Sequence, residues 1–444
     1  MFAQLAQAQI YGYFKDDPAT TLPAGDYTAY LANVVPVAAV GGVTVIMHWN
    51  AYDNGSDTGP SFLTAKANTL AGHLNTAAGG KTVNFIIVAA SGGIGSGGNN
   101  VDTPAWVFDQ AWANFCCSPA GAVDVCYCNS YQGTVANGWT NSTVGSNCYN
   151  QGNFHTLTGL TWDHSGVPAA WEAPFVAAYQ QWLAQFFSWA KTKVPTLGYV
   201  RVGVGTGGGS VVACPNVEEG AFSGQMHAAV TKLTEPVWLA YNQAIYSSAA
   251  SDVSGSGIML EASMFGGETF GGGDGMIPIG WADDVASAAV SNGFGLGAES
   301  LSVASDIGDN VLSAGGSPCS NDWCALFSQY RTASVLGLQT LSQSDPNCLG
   351  APSTCNQTSS LLTALPFGTQ RRANVFEVYY QDLLCAYDSG YTNSTTPPNN
   401  GACEAVSAGR QYYPTALSNA ASGQPTSAGI VGGAAKASGP TTIR

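Results

Sequence analysis

The sequence predicts an α/β fold in which a single (β/α)8 barrel carries long, disulfide-stapled loops on its C-terminal face. Short apolar strands alternate with amphipathic helical segments eight times, which favours parallel pairing and closure of the sheet. The links from each helix to the next strand are short and marked by Gly or Pro. The links from strand to helix are long, and all 12 cysteines fall in or beside them. These three observations together indicate the TIM-barrel arrangement.

The individual elements follow from local pattern. Strands are predicted where apolar runs lie between turn signals. In chain order they are Ile10–Phe14, Val43–Asn50, Thr82–Ala90, Tyr199–Gly205, Gly257–Met264, Phe294–Leu301, Leu336–Ser342 and Val375–Tyr380. Helices are predicted where apolar residues recur at helical spacing. They are Tyr27–Val40, Phe62–Thr76, Trp171–Lys191, Thr234–Ala250, Trp281–Ser291, Trp323–Ser334 and Ser359–Leu365.

The chain divides into a barrel and two flanking segments. Residues 1–8 are predicted to be a residual secretory signal or a disordered segment, because they end in an Ala-x-Ala pattern. The barrel is predicted over 9–413, with an insertion at about 91–168 after the third strand. Residues 414–444 are rich in Ser, Gly and Ala and are predicted to form a flexible tail.

The composition narrows the class of partner. Only 9% of the 444 residues are charged, and the net charge is -15. A nucleic-acid partner is disfavoured, because such proteins carry a basic stripe. No apolar run reaches the roughly 20 residues that a membrane span needs. The sequence gives no indication of the oligomeric state.

The cysteines predict disulfides rather than a metal site. Their number is even, and three pairs lie close in sequence: Cys319 with Cys324, Cys348 with Cys355, and Cys385 with Cys403. Disulfides indicate an oxidising compartment, and four Asn-x-Ser/Thr tripeptides would suit an exported protein. We therefore expect a secreted or extracytoplasmic protein. None of the five histidines shows the helical spacing of a zinc enzyme, so no metal and no cofactor are predicted.

The alternation of side chains along each strand predicts which residues face the barrel interior. In the fourth strand Val200, Val202 and Val204 face the helices, which leaves Arg201 facing inward. The same phasing places Glu261 on the fifth strand and Glu299 on the sixth inside the barrel. It also turns inward His48 and Asn50 of the second strand, and Glu377 and Tyr379 of the eighth. The sequence therefore predicts that polar side chains converge on one cavity.

Several strand endings resemble those of secreted (β/α)8-barrel glycoside hydrolases. They are "IMHWN", "RVGVGTGGG", "MLEASMF", "GLGAES" and "FEVYYQD", and the resemblance covers roughly Ile10 to Tyr413. It implies a polysaccharide or oligosaccharide substrate. The largest clan of these enzymes has Asn-Glu at the end of the fourth strand and Glu at the end of the seventh. Here the fourth strand ends in glycine and the seventh offers Gln339, Gln343 and Asp345, so that catalytic pair is missing.

Glu261 and Glu299 are the predicted catalytic pair, because paired carboxylates on neighbouring strands suit glycoside hydrolysis. An interior ion pair between Glu261 and Arg201 is the structural alternative. Substrate contacts are predicted for the residues that end the second strand and for inward polar residues of two others: His48, Trp49, Asn50, Arg201, Glu377 and Tyr379. For Trp49 the alternation also favours packing against a helix. For Glu377 the alternative is a structural hydrogen bond that closes the eighth strand against the first.

Two functions therefore follow from the sequence. One is an extracellular glycoside hydrolase, and the other is a non-catalytic carbohydrate-binding or cell-surface structural barrel. A nucleotide site at "YVRVGVGTGGGS" is disfavoured, although Gly203, Gly205 and Gly208 have the spacing of a phosphate-binding loop. A Cys and a Pro follow where the helix of such a motif would begin, and the nearest acidic residues come too early.

Overall fold

The fold is seen in a computed structural model of the chain. The structure describes residues 9–55, 59–89, 102–104, 107, 127–129, 166–168, 173–204, 235–263, 279–301, 336–340, 361–370, 373–391, 403 and 410–422. Every structural statement below concerns these residues.

Eight parallel strands pair around a closed ring. They are β1 (Gln9–Phe14), β2 (Val40–His48), β3 (Thr82–Val88), β6 (Leu197–Val202), β7 (Met259–Ser263), β8 (Gly295–Leu301), β9 (Leu336–Thr340) and β10 (Val375–Tyr379). The spatial order is β1-β10-β9-β8-β7-β6-β3-β2, and β1 closes the ring against both β10 and β2. A separate antiparallel pair, β4 (Tyr127–Asn129) and β5 (Gly166–Pro168), falls within the predicted insertion.

Helices follow most of the strands. They are α1 (Pro18–Thr21), α2 (Ala24–Asn33), α3 (Thr64–Ala78), α4 (Ala173–Lys193), α5 (Glu235–Asp252), α6 (Ile279–Ser291), α7 (Leu361–Gln370), α8 (Tyr380–Tyr387) and α9 (Tyr413–Ala421). The predicted α/β class with parallel strands is confirmed. The eightfold alternation itself stays a prediction, because the predicted helix Trp323–Ser334 lies outside the described residues.

Several predicted boundaries differ from the structure, and two of the differences change the element to which a segment belongs. Helix α2 ends at Asn33 rather than at Val40, because the chain turns after Val34 and β2 already begins at Val40. The predicted tail, 414–444, begins with helix α9, in which Tyr413, Ala416, Leu417 and Ala420 are buried. The apolar side of α9 explains why this part is packed, and residues 423–444 lie outside the described part of the chain.

The hydrophobic core lies between the outer face of the strands and the helices. Val200, Val202 and Val204 belong to this layer, as the alternation predicts. Helix α4 adds a series of aromatic side chains to it: Phe175, Tyr179, Trp182, Phe186 and Trp189. The aromatic rings along this helix cover the outer face of the barrel at β2 and β3.

One of the three predicted disulfides lies within the described residues, and it is confirmed. Cys385 of α8 is bonded to Cys403. The bond ties the helix after β10 to the chain that leads towards α9. The predicted pairs Cys319 with Cys324 and Cys348 with Cys355 lie outside the described residues.

Lys81 precedes β3 at the end of the barrel opposite the site described below. Its Nζ donates hydrogen bonds of 2.8 Å to the carbonyl oxygens of Val35, Val37 and Val40, which link α2 to β2. We expect Lys81→Met to cost about 1–3 kcal/mol, because three carbonyls lose a charged donor. The midpoint of urea unfolding measures this cost. Lys193→Met, at an exposed position at the end of α4, is the control. Equal midpoints for the two variants would contradict the prediction.

Candidate active site

The interior of the barrel is crossed by a buried network of charged side chains. Arg201 of β6 donates from Nε to Glu261 Oε1 of β7 over 2.7 Å, and from its terminal nitrogen to Glu377 Oε2 of β10 over 2.8 Å. Tyr199 donates from its hydroxyl to the other oxygen of Glu377. All four side chains are completely buried. One guanidinium therefore holds a carboxylate from the neighbouring strand and another from the opposite side of the ring of strands.

Glycines on the next two strands make room for Glu261. A Cβ atom on Gly297 of β8 would lie 2.1 Å from Glu261 Oε1, and one on Gly337 of β9 would lie 2.5 Å from Oε2. Burial raises the pKa of Glu261, and the charge of Glu377 raises it further, whereas Arg201 acts in the opposite direction. Glu261 Oε2 and the hydroxyl of Ser263, two residues further along β7, have no hydrogen-bond partner among the described residues.

The structure thus shows the interior ion pair that the sequence allowed as an alternative for Glu261. It also corrects the expectation for Arg201 and Glu377, since both are buried and bound to each other rather than open to a substrate. The reason is electrostatic: a guanidinium in a closed barrel needs buried carboxylates to compensate its charge.

Trp49 also differs from its predicted role in substrate binding. Its ring lies on the outer side of β2 and packs against three aromatic rings of α4. The distances between ring centroids are 5.5 Å to Phe175, 5.2 Å to Tyr179 and 6.2 Å to Trp182. Its Nε1 donates to Asp53 over 2.9 Å. The helix-facing alternative is therefore the correct one, because Trp49 follows the outward phase of β2.

The mouth of the barrel at the C-terminal ends of β1 and β2 carries a second ionisable group. His48 ends β2, and its Nδ1 is hydrogen-bonded to Asp102, which comes after β3. Burial lowers the pKa of His48, but the hydrogen bond and charge of Asp102, the backbone of Lys15 and the charge of Asp16 outweigh burial, so the net shift is upward. Asn50, two residues beyond His48, is exposed. Its backbone N–H donates a hydrogen bond to the backbone carbonyl oxygen of Asp102 over 2.7 Å.

Tyr379 ends β10 on the same rim and is half-buried. Its ring centroid lies 4.7 Å from that of Tyr13, and the Lys15 ammonium lies 5.8 Å from its centroid. Below this rim, Tyr13 packs with Ile86 and Val88. The structure thus places His48, Asn50 and Tyr379, three of the residues predicted to contact substrate, at one mouth of the barrel.

Glu299 lies on β8 four positions beyond Gly295, the residue that pairs with Glu261. At about 3.3 Å per residue, its backbone is roughly 13 Å nearer the C-terminal end of the barrel than that of Glu261. Glu261 and Glu299 have similar neighbours in sequence, "LEAS" and "AESL". They nevertheless lie at different heights between the two ends of the barrel. The side chain of Glu299 lies outside the described part of the structure.

Sequence reasoning missed two residues of the rim, Asp102 and Lys15. Asp102 lies in the predicted insertion, where no periodic pattern assigns an orientation to it. Lys15 follows the end of β1, and only the "KDD" charge cluster after the strand signals it. Among the described residues no cluster of His, Cys, Asp and Glu is arranged to hold a metal ion, and no helix there is long and apolar enough to cross a membrane.

The chain matches no protein-family model, and no curated protein is similar to it in sequence. Its fold is similar to the catalytic domain of beta-amylase from Paenibacillus polymyxa, with a TM-score of 0.54, 11% identity, and coverage of 92% of this chain and 99% of that one. Lower similarity is found to GH5_18 from Streptomyces cattleya in complex with GlcNAc, with a TM-score of 0.42, 11% identity, and coverage of 93% and 80%. It is also found to TcOYE with pHBA, with a TM-score of 0.40, 9% identity, and coverage of 85% and 86%. The first likeness shows that the chain shares the α/β barrel fold of that catalytic domain.

Proposed function

We propose that this protein is an extracellular glycoside hydrolase that acts on a polysaccharide or oligosaccharide. The observation that carries the proposal is the environment of the Glu261 carboxyl group. Glu261 lies on the strand next to the one that carries Glu299. One oxygen of Glu261 is fixed by Arg201, the other has no hydrogen-bond partner among the described residues, and burial raises the pKa of the carboxyl group. A general acid needs a raised pKa, and that is the direction of the shift at Glu261, although the charge of Arg201 opposes it.

The two carboxylates would then have different surroundings. Glu261 lies deep in the barrel and is held in place by Arg201, whereas Glu299 lies closer to the mouth on the adjoining strand. Glycoside hydrolysis uses such a pair, one as the acid and the other as the nucleophile or base. His48, Asn50 and Tyr379 would contact sugar hydroxyls at the rim, where enzymes of this fold place their substrates. The shared fold of the beta-amylase catalytic domain supports a carbohydrate substrate.

The complete burial of Glu261, Arg201 and Glu377 favours a second candidate. In this alternative the network only supports the barrel, and the rim binds carbohydrate without cleaving it. The two candidates differ in whether sugar is released, so activity measurements decide between them.

We expect Glu299→Gln to lower the release of reducing sugar by about 10²- to 10⁴-fold, the usual contribution of one acid or base group. The melting temperature should stay unchanged, because Gln keeps the shape of the side chain. Soluble starch is the first substrate, followed by cellulose, xylan, chitin and β-1,3-glucan. Glu261→Gln should lower release to a similar degree and still accept the hydrogen bond from Arg201.

The matched control is Asp284→Asn, a carboxylate-to-amide change at an exposed position on α6. This variant should keep full activity. If the unmodified protein binds a polysaccharide in affinity electrophoresis but releases no sugar from any of the five, the non-catalytic candidate is correct. If sugar is released and neither glutamate variant lowers it, the catalytic assignment is wrong.

A further inference from the structure

A chain of hydrogen bonds runs through the interior of the barrel to Glu377. The side-chain oxygen of Asn84 on β3 accepts a hydrogen bond from the backbone N–H of Tyr199 over 2.9 Å, which fixes the orientation of the Asn84 amide. The nitrogen of that amide therefore faces β2, where it donates to the hydroxyl of Thr44 over 3.3 Å. The hydroxyls of Thr44 and Tyr199 lie 3.2 Å apart, and Tyr199 is bonded in turn to Glu377. Side chains from four different strands are thus joined in one series.

The number of hydrogens fixes the direction of this chain, because a hydroxyl group can donate only one hydrogen bond. Thr44 accepts from Asn84, so the one acceptor for its own hydrogen among the described residues is the oxygen of Tyr199. The hydrogen of Tyr199 then goes to Oε1 of Glu377. Burial, and then the charges of Glu377 and Glu261, raise the pKa of Tyr199 well above its usual range, so its hydroxyl remains a donor.

The two buried carboxyl groups therefore differ in the donors that they receive. Glu377 accepts from Tyr199 at Oε1 and from Arg201 at Oε2 over 2.8 Å. Glu261 accepts from Arg201 at Oε1 over 2.7 Å, and its Oε2 has no hydrogen-bond partner among the described residues. Hydrogen bonds to an ionised carboxylate favour its charged form. The geometry thus favours a negative charge on Glu377 rather than on Glu261.

The buried carboxyl groups outnumber the cation that they share. Glu261 and Glu377 are both fully buried, and Arg201 supplies one positive charge to the two of them. A second buried negative charge without a cation is costly, so one of the two carboxyl groups keeps a proton. Two ionisable side chains belong to the strands around them: Tyr11 of β1, whose pKa burial raises to about 12, and Glu299 of β8, whose side chain lies outside the described residues. Neither adds a positive charge.

We propose that Tyr199 is a positioning residue that keeps the negative charge of this carboxyl pair on Glu377 and the proton on Glu261. Its hydroxyl is held in the donating direction by the hydrogen bonds that reach it from β3 and β2. The proton lies on Oε2 of Glu261, because Oε1 accepts from Arg201. In the proposed hydrolase, on which this use of the proton rests, Oε2 would give the proton to the leaving-group oxygen, and Arg201 would compensate the carboxylate that forms.

Carbon-13 NMR of the full-length protein, labelled at the Cδ atom of glutamate, tests the proposal without any substrate. The Cδ chemical shift of each glutamate reports whether its carboxyl group is protonated, and Glu261→Gln and Glu377→Gln identify the two signals. At neutral pH we expect Glu261 at the protonated position and Glu377 at the ionised position. Tyr199→Phe should change the ratio of the two protonated forms about ten- to a hundredfold in favour of Glu377, the effect of one hydrogen bond to a charged group.

Thr44→Val is a second variant that leaves Tyr199 in place and removes the hydroxyl that orients it. It should shift the ratio in the same direction by a smaller factor, because Thr44 then no longer polarises the Tyr199 hydroxyl. Tyr246→Phe is the matched control. The Tyr246 hydroxyl is buried on α5 and has no hydrogen-bond partner among the described residues, so its loss should leave both glutamate signals unchanged.

Three results would overturn the proposal. One is a Glu377 signal at the protonated position in the unmodified protein at neutral pH. Another is a Tyr199→Phe protein whose signals match the wild type at every pH from acidic to neutral, and the third is a Tyr246→Phe protein that shows the same change as Tyr199→Phe. If Tyr199→Phe does not fold, the Thr44→Val spectra decide in its place. A protein that shows the expected signals but releases no sugar would contradict the hydrolase proposal alone.

Discussion

Replacing Arg201 with Met is expected to destabilise the protein by about 3–5 kcal/mol, the usual cost of removing one partner from a buried ion pair. The variant leaves Glu261 and Glu377 inside the barrel without their shared cation. Their burial is complete, so water cannot replace the lost hydrogen bonds. Thermal and urea unfolding, together with the yield of soluble protein, measure the loss.

A triple variant separates charge from packing in this experiment. Arg201→Met combined with Glu261→Gln and Glu377→Gln removes both orphaned charges and keeps the side-chain volumes nearly constant. We expect the triple variant to regain a large part of the lost stability. An Arg201→Met protein that melts within about 2 °C of the wild type would show that the network contributes little, since about 1 kcal/mol shifts the melting temperature of a chain this long by roughly that amount.

Gly42→Ala is expected to be the most disruptive small substitution, with a cost of about 3 kcal/mol or more. Gly42 lies on β2 next to an irregularity in its pairing with β1, and its φ of 148° is rarely adopted by residues with a side chain. A Cβ atom there would lie 1.8 Å from the carbonyl oxygen of Thr82 and 2.9 Å from its nitrogen. Both are backbone atoms of β3, so no side-chain rotation relieves the overlap.

Gly72→Ala is the matched control for this prediction. Gly72 is exposed within helix α3, and a Cβ atom there would meet nothing within 4 Å. We expect this change to stabilise the protein by about 0.5–1 kcal/mol, the usual preference for Ala over Gly in a helix. Equal melting temperatures for Gly42→Ala and the wild type would show that β2 and β3 can separate locally at no cost.

Alternation along the strands predicted much of the barrel, because a strand with one apolar face has little freedom in orientation. Val200 and Val202 had to face the helices, and that placed Arg201 inside. The same rule placed Trp49 outside, despite its position beside two polar residues at a strand end. The end of α2 was not predictable from pattern, because the apolar residues after Asn33 continue through a turn.

The contacts within the site depended on distances that no local pattern encodes. Glu261 lies on the strand next to Arg201, so their pairing was foreseeable from the order of the strands. Glu377 reaches Arg201 from the opposite side of the ring, and that contact requires the diameter of the closed barrel. Asp102 reaches His48 from within the insertion, whose path is set by tertiary packing.

The closure of the ring has a consequence for how the chain folds. Strand β1 pairs Gln9 with Val375 of β10, so one edge of β1 stays uncovered until the chain has been synthesised through β10. Contacts of such long range slow folding and prolong the exposure of strand edges. A chain that stops before Val375 would leave both β1 and β9 with an open edge, and Arg201 without Glu377. We therefore expect ring closure to be the last and slowest step, and C-terminally truncated chains to associate through their open strands.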